Sequence, residues 1–529
     1  MNENIKILDC TLRDGGYVND WNFGEKTIKA ISSKLAEAGI EIVECGFLTQ
    51  TKTSDKNKSI FNSIEEINNT LVAGRKKTSF ACMINYGEYN IDDIPAYVSS
   101  GVDTIRVAFH KKDLVESLNF CEKIKAKGYK TFVQPMVTDS YSDTELNLLI
   151  EKANAFKPYA LYMVDSFGTM RKEEVLSLYK LLDENLDKEI AIGFHSHNNL
   201  QLSFSNSQEL IEAKSSRELI IDSSVFGMGR GAGNLCTELL TLYLNENFGK
   251  KYQLLPILEI IDDYLNPIFI KSPWGYSVPY YIASVNHCHP NYASYLVDKQ
   301  TLNVKAINAV LSQIPADKKQ LYDKKMIESL YIQHQERAVN DSESKKIIAE
   351  KLRDREVLIL APGQSLKKYQ DKITAYISAH KPIVWAINFI PAEYNADIFF
   401  INNMKRFASD SVLKQETKGK TVVLTSNISD ADKNFIQIDY QSYINPLYDE
   451  LDNAGIMLLR FLKSIGQKKI TIAGYDGFTI NPHENYYSDE MMNAVSAETI
   501  RKRNDSVSEQ LKELSSEIQI EFLTPSLYL

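Results

Sequence analysis

The first 245 residues alternate eight times between a short apolar run and a longer amphipathic stretch. Such alternation indicates strands joined by right-handed helical crossovers, and eight units in roughly 250 residues match the size of a closed (β/α)8 barrel. An open, doubly wound sheet shows the same local pattern, so the number of units is what favours the barrel. The predicted strands are Ile5–Leu12, Glu41–Leu48, Thr78–Ile84, Thr104–His110, Thr131–Met136, Ala160–Ser166, Ile190–His197 and Leu219–Val225.

Polar side chains cluster at the carboxyl ends of these predicted strands. In a (β/α)8 barrel, chemistry takes place at this end, where the βα loops meet. We therefore expect the polar residues to gather at one face of the barrel. They are Arg13, Asp14, Glu44, His110, Asp165, His195 and His197.

The His-x-His sequence at the end of the seventh strand indicates a metal site. Residues two apart on a strand point to the same face, so His195 and His197 can reach one point. An isolated His-x-His is more often a surface or core pair, because short motifs match by chance. With Asp14 as a third ligand, two imidazoles and one carboxylate form a common set for a divalent cation, and the metal interpretation is favoured.

Five motifs occur in the order found in the DRE-TIM metallolyases, a superfamily of metal-dependent aldolases and Claisen-type lyases and synthases with an HMG-CoA lyase-like barrel. They are "LDCTLRDGG", "IVECGFL", "VDSFGTM", "GFHSHNNLQLSFSNS" and "FGMGRGAGN". The third and fourth most resemble the 4-hydroxy-2-oxovalerate aldolase branch. The resemblance covers roughly residues 1–245 and implies a TIM barrel with aldolase activity.

The resemblance also implies roles for individual residues. Asp14, His195 and His197 would hold the ion, with Asn234 in the Gly-rich loop close to it. Glu44 would orient Arg13. Asp and His ligands suit Mn²⁺ or Mg²⁺ in a site that keeps exchangeable waters, and Zn²⁺ is the alternative.

Making or breaking a C–C bond beside a carbonyl passes through an enolate, and Arg13 is the residue expected to stabilise it. A divalent ion chelated by a 2-oxo acid acts as a Lewis acid that stabilises an enolate. The fixed positive charge of Arg13 would meet the developing enolate oxygen.

The chain departs from the resembled aldolases at the acid/base residue. Those enzymes carry a histidine three residues after the metal-binding aspartate, and this chain has Tyr17 there. A tyrosine with a pKa near 10 is a poor base unless its pKa is shifted. His110 is therefore one candidate for the proton carrier, and Tyr17 acting as an acid is another.

Three classes of function compete. The favoured one is an aldolase that joins or releases a 2-oxo acid, pyruvate in type, and an aldehyde. The second is a condensing synthase or lyase that uses an acyl-CoA, for which we identify no CoA-binding element. The third is a non-catalytic barrel scaffold, which the intact set of Arg13, Asp14, His195 and His197 disfavours.

Composition excludes other classes of partner. With 60 basic and 69 acidic side chains the net charge is −9, which disfavours nucleic acid because phosphate binding depends on basic patches. The six cysteines are scattered without a Cys-x-x-Cys pair, and no apolar run approaches the ~18 residues of a membrane span. We expect a cytoplasmic protein, and a homo-oligomer is compatible with these features.

The remaining chain predicts three further segments. Residues 246–340 read as a helical extension, which the resemblance to the DRE-TIM metallolyases implies closes the barrel mouth, and the polar stretch 341–355 reads as a linker. A smaller Rossmann-like α/β domain is predicted for 356–529. Its predicted strands are Val357–Leu360, Ile383–Ile387, Ile398–Ile401, Val422–Thr425, Ile470–Ala473 and Ile518–Leu523.

The last domain is predicted to bind a nucleotide or nucleotide-sugar, with a docking role as the alternative. "LILAPGQSL", "AINFI" and "ITIAGYDGF" weakly resemble nucleotide-binding domains of sialyltransferase-like and 6-hydroxymethylpterin pyrophosphokinase-like proteins. Amides from Gly363 to Ser365, before a helix, could hold a phosphate. Asn388 ends the next strand at the same sheet edge, and Asp476 could meet a sugar hydroxyl.

Overall fold

The N-terminal part of the chain is a closed barrel of eight parallel strands. The computed structural model describes residues 4–71, 77–213, 216–409, 417, 420–428, 435–488 and 497–529. The ring closes because β1 pairs with both β2 and β9, and the two-residue β3 pairs with β2 outside the ring. The strands are β1 Ile5–Asp9, β2 Ile42–Leu48, β3 Ile60–Phe61, β4 Ser79–Asn85, β5 Thr104–Phe109, β6 Lys130–Pro135, β7 Ala160–Asp165, β8 Ala191–Ser196 and β9 Leu219–Ser223.

Helices follow the barrel strands in alternation and continue beyond the last strand. The α-helices up to residue 298 are Glu25–Ala38, Ile64–Thr70, Leu114–Ala126, Asp143–Phe156, Lys172–Asn185, Ser203–Glu212, Thr237–Phe248, Leu254–Ile260, Asn266–Lys271, Val278–Val285 and Pro290–Asp298. Shorter 3₁₀ turns are Gly15–Val18, Ile91–Asp93, Lys111–Asp113, Thr138–Ser140, Val225–Gly227 and Ala316–Lys318, and Ile261–Leu265 is a π-helical turn.

The barrel strands are buried on both faces, as expected for a parallel sheet covered by helices. One face packs under the helices in the large core that includes Ile7, Val43 and Ile192. The other points into the barrel, where Leu8, Phe132 and other side chains form a separate apolar layer. Above this layer, toward the carboxyl ends of the strands, the inward-pointing residues are polar. The polar cluster is therefore supported from below by closely packed apolar side chains.

A second parallel sheet lies in the C-terminal part. Its strands are β10 Val357–Leu360, β11 Ile383–Ile387, β12 Ile398–Ile401, β13 Thr421–Thr425, β14 Ile436–Ile438, β15 Lys469–Ala473 and β16 Gln519–Phe522. The order β14-β13-β12-β11-β10-β15-β16 makes an open sheet. A TIM barrel followed by a parallel α/β domain confirms the predicted fold class; the sequence pattern missed the three-residue β14.

Helices of this C-terminal part occur in the chain before and after the predicted linker 341–355, and the linker itself contains a helix. They are Val304–Leu311, Lys324–Gln335, Ser342–Lys351, Ser365–Lys368, Gln370–His380, Met404–Ser409, Ala454–Ser464 and Ala497–Ser515, with a 3₁₀ turn at Pro482–Glu484.

The chain divides into two units, called here the barrel unit and the sheet unit. The barrel unit comprises Met1–Ala293 and Pro315–Tyr322, and the sheet unit comprises Ser294–Ile314 and Asp323–Leu529. The division therefore passes through the helical extension predicted for 246–340. Within the described ranges, every helix is too short or too polar to cross a membrane.

Candidate active site

The loop after β1 is held rigidly enough to fix two charged side chains. The amide of Asp14 donates to the carbonyl of Cys10 at 2.8 Å, and the indole of Trp21 donates to the carbonyl of Arg13 at 2.7 Å. A Cβ on Gly16 would lie 2.0 Å from the Trp21 ring. Glycine at this position thus lets Trp21 close against the loop.

The two histidines lie at the carboxyl end of β8, on the same side of the strand. His195 is inside β8, and His197 directly follows the strand's last residue. His197 forms an antiparallel bridge with Asn234, so the Gly-rich loop after β9 is fastened to the end of β8. This bridge brings Asn234 beside the loop that carries Asp14.

Asp14, His195 and His197 converge on one point. One ligand atom from each lies within 4.8 Å of the others. His197 Nδ1 lies 4.0 Å from Asp14 Oδ2, too far for a hydrogen bond, and this buried nitrogen has no partner among the described residues. Two ligands about 2.1 Å from one ion are at most about 4.2 Å apart, so this separation fits a divalent ion between them.

Asn234 contacts Asp14 directly. Its Nδ2 donates to Asp14 Oδ2 at 2.7 Å and to the carbonyl of Met228 at 3.2 Å. Its buried Oδ1 has no partner within the described part of the chain. Asn234 therefore orients the Asp14 carboxylate, and its oxygen remains available as a ligand atom.

A buried network of charges connects Arg13 to His195. Arg13 Nε donates to Glu44 Oε2 at 2.8 Å, and Arg13 Nη1 donates to Asp14 Oδ1 at 2.6 Å. Glu44 Oε2 also accepts from Arg106 Nη1 at 2.8 Å. Arg106 in turn donates to Asp222, whose Oδ2 lies 2.9 Å from His195 Nδ1.

The network fixes the tautomer of His195. With Nδ1 hydrogen-bonded to the Asp222 carboxylate, Nε2 is the atom free to bind an ion, an arrangement typical of metal-ligating histidines. Arg106 and Asp222 were missed by the sequence reasoning. Their signal is a charged residue inside an otherwise apolar strand, in "TIRVAF" and "LIIDS", since buried charges require partners.

Burial and neighbouring charge set the protonation of the ligands. Burial alone would raise the pKa of Asp14, but Arg13 and the two histidines hold it well below its usual range. Burial lowers the pKa of His197 to about 3. At neutral pH Asp14 is therefore a carboxylate and His197 a neutral imidazole, the states that bind a metal ion.

A cleft of about 460 Å³ opens above the ligand set. Tyr17 lines it, partly exposed, and desolvation raises the pKa of its hydroxyl. Arg230 also lines the cleft, with its guanidinium 5.5 Å from the Tyr17 ring centre and its Nη1 3.5 Å from His289 Nε2. No carboxylate among the described residues pairs with Arg230, a residue that sequence reasoning did not single out.

His110 occupies a different position from the other candidates. It follows β5 and precedes a 3₁₀ turn, and it is not among the side chains that line the cleft. Burial lowers its pKa below the usual value. Its assignment as proton carrier stays a prediction.

The predicted ligand residues of the sheet unit meet in a second cleft. Gly363, Asn388 and Asp476 line it. Ser365, however, donates its amide to Asp476 Oδ2 at 2.7 Å, and its hydroxyl donates to the other carboxylate oxygen. The Asp476 carboxylate therefore takes the place that a phosphate would occupy at the Ser365 amide.

Asn388 is also engaged by the protein itself. Its Nδ2 donates to Asn402 Oδ1 at 2.8 Å, and its Oδ1 accepts from the Asn402 amide at 3.1 Å. Its φ of 56° lies in the left-handed region, which asparagine tolerates better than most residues. Asn388 thus shapes the end of β11.

Comparison with known proteins agrees with this geometry. Residues 4–260 match the family model described as HMGL-like. A 4-hydroxy-2-oxovalerate aldolase of Pseudoalteromonas translucida is 28% identical over 268 residues, covering 50% of this chain and 76% of the relative. One of Bacillus thuringiensis is 28% identical over 270 residues, with coverage of 50% and 76%.

A solved structure is similar over the same part of the chain. The N-terminal domain of a proposed aldolase from Bacteroides vulgatus is 28% identical, has a TM-score of 0.49, and matches across 55% of this chain and 96% of that domain.

The barrel and its Asp/His set define a metal-dependent carbon–carbon lyase. Residues 4–260, a little under half of the chain, match the HMGL-like family model, and this match together with the aldolase relatives supports a place among the DRE-TIM metallolyases. The expectation of an aldolase-type enzyme is confirmed.

Proposed function

We propose that the barrel unit makes or breaks the bond between the α-carbon of a 2-oxo acid, pyruvate in type, and an aldehyde carbon. The observation that carries this proposal is the convergence of Asp14, His195 and His197 beside the buried guanidinium of Arg13. The relatives named 4-hydroxy-2-oxovalerate aldolases support the same substrate class.

Asp14, His195 and His197 would hold a divalent ion, with the Asn234 oxygen as a further ligand. Mn²⁺ or Mg²⁺ suits the mixture of carboxylate, amide and imidazole, and Zn²⁺ is the alternative. When bound, the ion supplies Lewis acidity to a 2-oxo acid. Asp222 keeps His195 in the required tautomer, as the 2.9 Å contact at Nδ1 indicates.

Arg13 is the group that meets negative charge on the substrate. Two of its nitrogens are committed to Glu44 and Asp14. Nη2 makes no hydrogen bond to any described residue, and Arg13 lines the cleft. A fixed guanidinium costs no reorganisation when charge develops on an oxygen beside it, so Arg13 stabilises the enolate.

Tyr17 is the better placed of the two proton-carrier candidates. It lines the cleft, whereas His110 lies outside the lining. Because its pKa is raised, Tyr17 remains protonated at neutral pH and acts as an acid toward the aldehyde oxygen in the condensation direction. Loss of turnover in Tyr17→Phe with normal turnover in His110→Gln is the expected result, and the reverse would assign the role to His110.

Arg230 supplies a second positive charge at the cleft. It has no carboxylate partner among the described residues, and it lines the same cleft as Arg13. A guanidinium pairs well with a planar carboxylate. We assign Arg230 to the carboxylate of the 2-oxo acid.

An acyl-CoA condensing enzyme is the other candidate within this family. Solved HMG-CoA lyases match the chain only at 15% and 16% identity, which carries no argument about substrate. An activity screen separates the two. Pyruvate release or condensation with a panel of aldehydes should require added Mn²⁺ or Mg²⁺, and activity with acyl-CoA alone would contradict the aldolase.

The metal ligands have a test that does not depend on turnover. Elemental analysis of the purified protein should find divalent metal, and His195→Ala should lose most of it. His110→Ala is the matched control, because His110 lies outside the cleft, and it should retain the metal. Equal metal content in wild type and His195→Ala would contradict the assignment.

We propose that the sheet unit binds a nucleotide or nucleotide-sugar and supplies or carries the acceptor of the aldol reaction. The cleft that Gly363, Asn388 and Asp476 line supports this role. A cytoplasmic location stays a prediction, and so does assembly into a homo-oligomer.

A further inference from the structure

The cleft of the sheet unit lies where an open α/β sheet offers a ligand site. In the strand order, β10 lies between β11 and β15. The chain therefore moves outward from β10 to β14 and returns to the other side of β10. Such a reversal opens a crevice at the carboxyl ends of the strands, and residues that follow β10, β11, β12 and β15 line this cleft of about 920 Å³.

Most charged side chains that line the cleft already have partners. Glu450 pairs with Arg503 at 3.1 Å. Asp452 accepts from the hydroxyls of Tyr331 and Tyr440. Asp476 accepts from Ser365, as described above.

Arg406 differs from these residues. Its Nη1 is buried and has no hydrogen-bond partner among the described residues, and no described carboxylate forms an ion pair with it. The neighbour that favours its charge is Tyr486, whose ring centre lies 5.3 Å from the guanidinium carbon. Desolvation outweighs this contact and lowers the pKa of Arg406.

An uncompensated buried guanidinium is unfavourable unless something supplies the missing anion. The protein places its own carboxylate at the Ser365 amide, where it would repel a phosphate, whereas none of the described residues supplies a carboxylate to Arg406. The anionic part of a ligand is therefore expected at Arg406 and not at the loop after β10.

The rest of the cleft suits an organic group. Aromatic side chains of Tyr475, Phe478, Tyr486 and Tyr528 line it. The helix Ala454–Ser464 begins at its wall, with Asn453 Oδ1 accepting from the Gly455 and Ile456 amides.

We propose that this cleft binds a phosphorylated small molecule whose phosphate pairs with Arg406 and whose organic part lies against the aromatic wall. The inference rests on the ligand-binding role proposed for the sheet unit and is independent of the aldol chemistry. It relocates the phosphate from Gly363–Ser365, where the sequence alone placed it, to Arg406.

Calorimetry on the full-length chain tests the proposal, with CMP, UDP, GDP and ATP as probes and the matching nucleosides and inorganic pyrophosphate beside them. At least one nucleotide should bind in the micromolar range, and its nucleoside more weakly. Arg406→Gln should weaken that binding about 10- to 100-fold, the usual effect of a hydrogen bond to a charged group. Arg406→Lys keeps the charge and should lose less.

Arg353→Gln is the matched control, because Arg353 is an exposed arginine of the same unit outside the cleft, and it should bind as wild type does. Millimolar or weaker binding of every nucleotide would overturn the proposal. Equal binding by Arg406→Gln, or by the nucleoside, would also overturn it. Turnover of wild type and Arg353→Gln with pyruvate and a free aldehyde reports the barrel chemistry separately, so a failure here is distinct from a failure of the barrel chemistry.

Discussion

At the scale of single residues, Arg13 combines two tasks that a lysine would separate. Its guanidinium reaches Glu44 and Asp14 through two different nitrogens, at 2.8 and 2.6 Å, and its third nitrogen remains for substrate. A lysine keeps the charge and loses this planar fork. The proposed function therefore gives Arg13 two roles, one in positioning Asp14 and one toward the substrate.

Arg13→Lys should retain metal and fold while losing most turnover. Removal of a donor aimed at developing charge costs on the order of 100-fold in kcat. Steady-state kinetics, elemental analysis and circular dichroism on the same preparation measure the three quantities. A rate near that of wild type would show that Arg13 serves only the scaffold.

Arg230→Gln should affect substrate binding more than the chemical step. If its guanidinium pairs with the carboxylate of the 2-oxo acid, KM for that substrate should rise about 10- to 100-fold, and KM for the aldehyde should change little. Metal content should be unchanged, since Arg230 is not a ligand. A rise confined to the aldehyde KM would move Arg230 to the acceptor end of the cleft.

At the scale of elements, the loop after β9 has to approach the loop after β1 closely. A Cβ on Gly229 would lie 2.3 Å from Asn234 Nδ2 and 2.9 Å from Asp14 Oδ2. Gly229→Ala should therefore displace Asn234 and weaken metal binding by about tenfold or more, as loss of groups that orient metal ligands does.

Gly15→Ala provides the comparison for Gly229→Ala. Its added Cβ would meet Met228 at 3.1 Å, and that flexible side chain can shift. Metal titration of apo-protein should show a small change for Gly15→Ala and a large one for Gly229→Ala. Equal affinities in both variants would show that the close approach at Gly229 is unimportant.

The network inside the barrel makes a separate prediction about stability. Arg106 is fully buried between Glu44 and Asp222, and its removal takes one cationic partner from each of these two buried carboxylates. Arg106→Met should lower the free energy of unfolding of the barrel by about 3–5 kcal/mol, measured by urea denaturation. The exposed Arg171→Gln is the control and should change it by less than about 0.5 kcal/mol.

The sequence predicted those features of the site that depend on residues close together in the chain. Strand alternation predicted that His195 and His197 lie on one side of β8, and the position of Asp14 after β1 made it the candidate for a third ligand. Arg106 and Asp222 were missed because Arg106 lies 62 residues from Glu44 and 116 residues from Asp222 in the chain. Only barrel closure makes them neighbours.

The same limit applies in the sheet unit. The loop at Gly363–Ser365 has the composition of an anion site, and nothing local shows that Asp476, 111 residues after Ser365, fills it. No sequence pattern marks Arg406 either. It stands out only in the fold, where no carboxylate among the described residues pairs with it. Patterns reveal which groups are present, whereas the fold determines which of them remain free.

At the scale of the whole molecule, buried acids in the barrel should make stability depend on pH. Burial raises the pKa of Asp165 to about 7 and that of Asp9 to about 6, compared with about 3.9 for an unfolded aspartate. Between these values the folded chain keeps protons that the unfolded chain releases. Through these two groups, rising pH favours unfolding from about pH 4 to about pH 7, and their effect levels off above that range. The lowered pKa of His197 acts in the opposite direction below the usual pKa of a histidine.

Asp165→Asn should remove the contribution of Asp165 to this pH dependence and leave those of Asp9 and His197. The substituted amide cannot ionise, so the loss of unfolding free energy between pH 5 and pH 7 should be smaller in the variant by about 2 kcal/mol. The amide also offers one acceptor fewer to the backbone amides of Thr169 and Met170, so the variant should be less stable than wild type at pH 5. Urea unfolding at pH 5, 6, 7 and 8 measures both effects, with the exposed Asp92→Asn as control. Parallel pH curves for wild type and Asp165→Asn would show that the Asp165 carboxyl is already ionised in the folded barrel at pH 5.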